Sequence, residues 1–267
     1  TIAVPADHAT IAAALAAAVP GDVVDIAPGL YVEDLTLPGG VILQGAGIDQ
    51  STVQGQITVS GGEAGIAFLN VVGPGASQGT CGVTAGAGNS VLLVSARVLS
   101  FHRGVCLDPG PSIAVPWPTV DRVSFQSNGY GVAVYSGSAT VTNNYFAFSA
   151  RSGVYGADDA SLSVVNNTFL GNSFGGNQTD RDAAITLGSG GASVVRNNNV
   201  ISNLFGMACA GCTATWSHNN VWGNTTNYAG DASSAPSDLQ VDPQLIGASS
   251  GNLRLQDTSP LIDAGTS

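Results

Sequence analysis

A pattern that returns about every 22 residues constrains this chain more than any other feature. Its first element is Gly-apolar-x-apolar: Gly82-Val-Thr-Ala, Gly104-Val-Cys-Leu, Gly131-Val-Ala-Val, Gly153-Val-Tyr-Gly, Ala184-Ile-Thr-Leu and Gly206-Met-Ala-Cys, at spacings of 22, 27, 22, 31 and 22. A second element, Asn-x-apolar-x-x-Asn, keeps step as Asn167 to Asn172 and Asn198 to Asn203, and as a copy read as shifted by one at Asn219 to Asn224. Degenerate copies begin at Asn144 and Asn70. Between the two lies a short apolar run, seen as Thr140-Val-Thr, Leu162-Ser-Val-Val and Ser193-Val-Val. Each period therefore holds three short strands separated by corners.

Alternation turns every second side chain of a strand inward, so one coil presents about six apolar side chains that it cannot bury alone. Stacking coils about 4.8 Å apart buries them, pairs the backbone above and below, and lines up like side chains in ladders. Asn suits the corners because it tolerates left-handed backbone angles and its amide can bond to the next Asn. The strings lack a 3.6-residue period and carry β-branched residues and Gly throughout, which excludes helical repeats. With 44% apolar and 9% charged residues the chain is not disordered. Sixteen Asp, two Glu, seven Arg and no Lys leave a formal charge of −11, so no broad cationic face exists and nucleic acid is not an expected partner. No apolar run reaches the roughly 20 residues of a membrane span.

The ends of such a stack need blunting against edge pairing. At the N-terminus Asp7 is read as the cap of a short helix over Ala9 to Ala18, with Ile11 and Leu15 on one face lying across the first coil. At the C-terminus Val241-Asp-Pro-Gln-Leu-Ile and Leu253-Arg-Leu read as closing strands. One domain results: residues 1–40 as N-terminal cap and first coil, 41–227 as stacked coils, 228–267 as the closing segment.

Four cysteines, Cys81, Cys106, Cys209 and Cys212, in a chain rich in Asn and Thr read as two disulfides of a secreted or cell-surface protein. The CxxC spacing of Cys209 and Cys212 also fits a redox motif or half a zinc site, but no second CxxC completes one. Cys81 and Cys106 fall about three residues out of line on neighbouring coils, so their pairing stays open. The chain opens at Thr1 with its one Met at position 207, and an export signal is expected to be absent from it.

Thr10-Ile11, Pro20-Gly-Asp-Val-Val-Asp-Ile-Ala-Pro-Gly-Leu-Tyr-Val-Glu33, Val41-Ile-Leu-Gln-Gly-Ala-Gly47, the Asn/Gly coils and Ser259-Pro-Leu-Ile-Asp-Ala-Gly265 together resemble the right-handed parallel β-helix proteins of the pectate lyase-like superfamily. The resemblance covers nearly the whole chain and implies an all-β fold, a right-handed parallel β-helix of three-strand coils with a short N-terminal capping helix. It is specific for fold rather than activity, because the superfamily includes lyases, polygalacturonases, pectin methylesterases, epimerases, phage tailspikes and adhesins. The motif segments of polygalacturonases, pectin methylesterases and alginate epimerases are absent; Asp108-Pro109-Gly110 is not equivalent to the Asp-Pro-His of the epimerases. Without Lys, only an Arg-dependent, Ca²⁺-assisted lyase type is open.

The irregular spacings show where insertions fall. The 27-residue interval carries Asp108-Pro-Gly-Pro and Pro116-Trp-Pro118 after the Gly104 strand; the 31-residue interval carries Ser173 to Asp182 before the Ala184 strand. Both flank the column whose outward residues, by alternation, are Thr84, Cys106, Ala133, Tyr155, Thr186 and Ala208. The corner entering it collects His102, Arg103, Tyr130, Arg151 and Asp180-Arg181-Asp182, with Arg151 and Arg181 expected one coil apart. Guanidinium groups suit bidentate recognition of sugar carboxylates. In a lyase Tyr155, Arg151 and Arg181 would fill the roles of base, carbanion-stabilising cation and acid for the leaving oxygen, with Asp180 and Asp182 holding Ca²⁺. His102, Arg103, Tyr130 and Trp117 would bind the sugar, Trp117 as a stacking platform. The same residues also fit a plainer arrangement of surface ion pairs, corner ladders and loop packing. The expected partner is a polysaccharide, engaged either by a lyase cleaving an acidic glycan by β-elimination or by a non-catalytic extracellular binding module. An ice- or surface-binding role would need flat Thr arrays, and Thr84 and Thr186 supply two coils' worth.

Overall fold

The computed structural model describes residues 1–76, 79–110, 116–175, 182–248 and 252–266. Its coils visit three parallel sheets in turn. Sheet 1 runs from Leu35–Pro38 through Cys81–Ala85, Arg103–Leu107, Tyr130–Val134, Val154–Gly156 and Ile185–Leu187 to Thr226–Gly230, and carries the Gly-apolar pattern. Sheet 2 follows in each coil, from Ile2–Val4 to Thr213–Ser217, and sheet 3 from Gly29–Tyr31 to Asn220–Trp222. In every sheet, successive coils are hydrogen-bonded neighbours. The chain is thus a right-handed parallel β-helix, as the resemblance implies.

The Asn-x-apolar-x-x-Asn pattern is one sheet-3 strand with its two corners. At each corner a residue with positive φ precedes a buried ladder residue: Asn166 (φ 59°) before Asn167, and Gly171 (φ 62°) before Asn172. The side chains form two ladders. Asn144 N–H donates to Asn167 Oδ1 at 2.9 Å, Asn167 N–H to Asn198 Oδ1 at 3.0 Å, and Asn198 N–H to Asn219 Oδ1 at 3.1 Å. Asp238 ends this ladder by accepting from Asn219 N–H at 2.9 Å. The second ladder runs from Asn172 to Asn203 to Asn224. Asn219 and Asn224 therefore stack in line, without the one-residue shift expected from the sequence. Asn70 is not a ladder residue, because buried Leu69 takes that place and Asn70 opens the next strand.

The glycines of the first pattern are explained by the core. Phe125, Phe146 and Phe169 on sheet 3 stack with centroids 4.8 and 4.7 Å apart. Each ring fills the space that a side chain at the start of the same coil's sheet-1 strand would need: a Cβ at Gly153 would lie 2.6 Å from Phe169 Cδ1. In the next coil Val200 replaces Phe, and Ala184 replaces Gly. The two positions trade volume across the barrel, as close packing requires.

At the N-terminal end the helix Ile11–Ala17 buries Ile11, Ala14 and Leu15 against the first coil, as expected. Its cap is Thr10, whose Oγ1 accepts from Ala13 N–H, and Glu33 accepts from the N–H groups of Ile11 and Ala12. Asp7 instead accepts from Ala3 N–H, its short side chain tying the turn before the helix. At the other end the segment after Ala235 begins a further rung, with Leu239 bridging to Asn220. The strands read as closing ones do not stack on it. Leu245–Gly247 and Asn252–Leu255 form a separate antiparallel pair, and Leu253, Leu255 and Leu261 line a hollow together with Thr168 and Asn199 of sheet 3. The Asn197 amide exchanges hydrogen bonds with the backbone of Thr266.

Candidate functional site

Register builds the site. Val105, Val132, Val154 and Ile185 pair across neighbouring coils of sheet 1, so counting three residues back places His102, Gly129, Arg151 and Asp182 in one row. The next row is Arg103, Tyr130, Ser152 and Ala183. Arg151 is thus stacked with Asp182, the residue that the 31-residue interval from Gly153 to Ala184 itself places opposite it, rather than with the expected Arg181. Arg151 Nε lies 3.6 Å from Asp182 Oδ1. Arg181 and Asp180 lie outside the described residues.

Tyr130 is the hub, and its ring is 8% exposed. Gly129 leaves the row beside it without a side chain, and four groups close around the ring. The guanidinium carbons of Arg151 and Arg103 stand 5.3 and 5.8 Å from its centroid, His102 meets it edge-on at 5.9 Å, and Tyr155 packs tilted at 5.5 Å. Arg151 Nη1 donates to Tyr130 Oη. Arg103 also lies 5.6 Å from the Tyr135 ring, so its cation is held between two aromatic faces. The sequence reading missed Tyr135, although alternation continued two residues past Ala133 turns it outward.

The electrostatics follow from crowding two cations around buried rings. Burial raises the Tyr130 phenol above its ordinary range, with Arg151 opposing through its hydrogen bond and charge. Burial likewise raises Tyr135, opposed by Arg103. His102 is lowered by burial and then by Arg103 and Arg151, so it is neutral at neutral pH. Its Nδ1 accepts from Gly79 N–H at 3.3 Å, which leaves the proton on Nε2. Burial works against the Arg151 charge, but Tyr130, Asp182 and Tyr155 outweigh it and raise its value. Asp182 is raised by burial, with Arg151 opposing. The exposed side of this cluster offers donors: two guanidinium groups and an imidazole N–H.

Beside it an open groove on sheet 1 is lined by Thr84, Cys106, Asp108, Arg103 and Tyr135, among others. Cys81 and Cys106 are joined by a disulfide in its wall, and Cys209 pairs with Cys212, so all four cysteines are bridged. So bridged, the CxxC offers no thiolate pair to a zinc ion. The outward column is as expected from alternation, but Ala133, Thr186 and Ala208 are buried; Thr186 Oγ1 is tied to Ser152 Oγ and Ala183 N–H. Trp117 is 60% exposed where the chain enters sheet 2, and among the described residues it makes no ring contact with the cluster. Among the described residues no three His, Cys, Asp or Glu side chains converge as a metal site. Asp182 is turned to Arg151, and Asp180, the other expected Ca²⁺ ligand, lies outside the described residues.

An apolar depression on sheet 2, around Ile42, Gly65 and Leu92, has Glu63 as its one titratable side chain and offers no comparable chemistry. Fold and groove together define a right-handed parallel β-helix with a donor-rich cluster on sheet 1. Residues 81–244, more than half of the chain, match the family described as right handed beta helix region, and the chain belongs to it. Among solved structures it is similar to pectate lyase Pel9A, with a TM-score of 0.53 and 11% identity over 96% of this chain and 86% of that one. It is also similar to the A-module of the Azotobacter vinelandii mannuronan C-5 epimerase AlgE4, with a TM-score of 0.45 and 14% identity over 88% of this chain and 96% of that one. No curated protein sequence matches it.

Proposed function

We propose that this protein binds an acidic polysaccharide along sheet 1 and cleaves it by β-elimination at the Tyr130 cluster. One observation carries the reading: in a chain of charge −11, Arg103, Arg151 and the neutral His102 converge on one buried tyrosine and present donors together. Uronate carboxylates are the matching acceptors on a glycan. In the proposed step Tyr155 Oη, acting as the base, takes the proton next to the uronate carboxylate, and the electron pair forms the ring double bond as the glycosidic C–O bond breaks. Arg151 stabilises the charge spreading onto the carboxylate. Tyr130, held neutral by burial, gives its proton to the leaving oxygen. Asp182 is a positioning residue that holds Arg151. The fold shared with a pectate lyase supports the class, and two disulfides support an extracellular setting.

The test is ultraviolet absorbance of unsaturated uronate products on a panel of pectate, alginate and chondroitin. Wild type should form them, and Arg151→Ala should abolish them while leaving the far-UV circular dichroism unchanged. A normal rate in Arg151→Ala removes the site. The raised Tyr130 phenol and the Arg151–Asp182 pair favour a second reading, a non-catalytic glycan-binding module. That reading is supported if the panel stays flat while wild type, but not Arg151→Ala, is retarded in gels containing the glycan. A melting-temperature rise with added Ca²⁺ that Asp180→Asn abolishes would support the Ca²⁺ ion expected from the sequence.

A further inference from the structure

The corner leading from sheet 3 into sheet 1 carries a residue with positive φ in coil after coil: Ser100, Ser127, Phe148, Gly171, Ser202 and Gly223. All but one are small. Phe148 has φ 55° and is 50% exposed, so neither backbone preference nor burial accounts for a large aromatic ring there. Its ring is braced from the next coil, where a Cβ at Gly171 would lie 3.0 Å from Cε1. Ser173 N–H donates to Ser149 O, and Gly175 N–H to Ala150 O. Phe174 between them, 56% exposed, therefore stands on the next coil close to the same corner. Arg151 follows Phe148 by three residues, at most about 10 Å of chain.

We infer that Phe148, with Phe174 beside it, is a stacking platform for the apolar face of a sugar ring, an added subsite that extends the saccharide path from Arg151 around the corner toward sheet 3. It rests on the saccharide reading proposed above. A seated, water-exposed ring with its face open is the arrangement that pyranose C–H faces pack against. Direct adjacency to the donor cluster gives the occupant: the same glycan chain, one or two residues beyond the uronate that Arg151 holds.

Phe148→Ser tests this, because Ser127 occupies the same corner position in the preceding coil and Ser202 two coils on, so the fold accommodates that residue there. Calorimetric titration with galacturonate and mannuronate di- and hexasaccharides, and with cellohexaose, gives the readout. Affinity for the hexasaccharide that wild type binds should fall about tenfold, with disaccharide affinity and melting temperature unchanged. An unchanged hexasaccharide affinity overturns the platform. A melting temperature lowered by several degrees also overturns it, showing that Phe148 serves packing. Arg151→Ala separates the two ideas: it should lose acidic di- and hexasaccharides alike. If Arg151→Ala still binds them while Phe148→Ser does not, the acidic site fails and the platform stands. Wild type binding none of the probes overturns both.

Discussion

His102 shows how one side chain reports on its surroundings. Burial, then Arg103 and Arg151, hold its imidazole below the ordinary value of 6.5. The unfolded chain therefore takes up the proton more readily, so the native state has its full advantage above pH 6.5 and loses it as pH falls through the window below. Wild type should lose melting temperature on mild acidification, and His102→Gln should show a flatter profile across that window. Identical profiles would mean that the imidazole is not desolvated as described. Asp182, raised by burial, changes stability in the opposite direction at lower pH, which is why the comparison is between wild type and His102→Gln rather than between two pH values of one protein.

Among the elements, sheets 1 and 3 are tied through paired volumes rather than through single residues. Gly153 meets Phe169, and Ala184 stands one coil on with Val200 in place of the ring. Gly153→Ala should therefore destabilise the protein by roughly 1–3 kcal/mol through overpacking. Adding Phe169→Val should recover part of that loss although the valine alone leaves a cavity. Urea denaturation of the two single mutants and the double mutant measures the coupling. Strict additivity would show that the glycine is there for another reason. The same elements explain the ladder corners, where each Asn amide accepts from the N–H of its neighbour below and so satisfies the backbone that the turn leaves over.

For the whole molecule, a stack of coils is held by contacts between nearest neighbours, so its weakest interface governs it. The Cys81–Cys106 disulfide joins adjacent coils across a sequence separation of 25, beside Arg103 and the groove. Replacing both cysteines with serine should cost about 3 kcal/mol by loop-closure entropy. Removing Cys209–Cys212, with a separation of 3, should cost less. Denaturant midpoints rank the two pairs, and the opposite order would place the vulnerable interface at the C-terminal coils. The helix over the first coil and the hairpin on the flank of sheet 3 end the stack unequally. One covers the core, and the other leaves Trp216 and Tyr228 half exposed.

The coils, their three strands, the inward and outward faces and the helical cap were all readable in the residue order. Each rests on local rules: alternation along a strand, left-handed angles at Asn and Gly, and the need of every coil for a neighbour. His102, Arg103, Tyr130, Arg151 and Tyr155 were likewise legible, because they crowd one corner of a chain otherwise poor in such residues, whereas Tyr135, two residues past that column, was not. The pairing of Arg151 with Asp182 was carried by the 31-residue interval from Gly153 to Ala184, although Arg181 was the expected neighbour. Whether Leu253 closes the stack or turns back onto sheet 3 depends instead on which apolar surface lies open to it. That outcome is set by contacts between residues distant in sequence, and the repeat does not carry it.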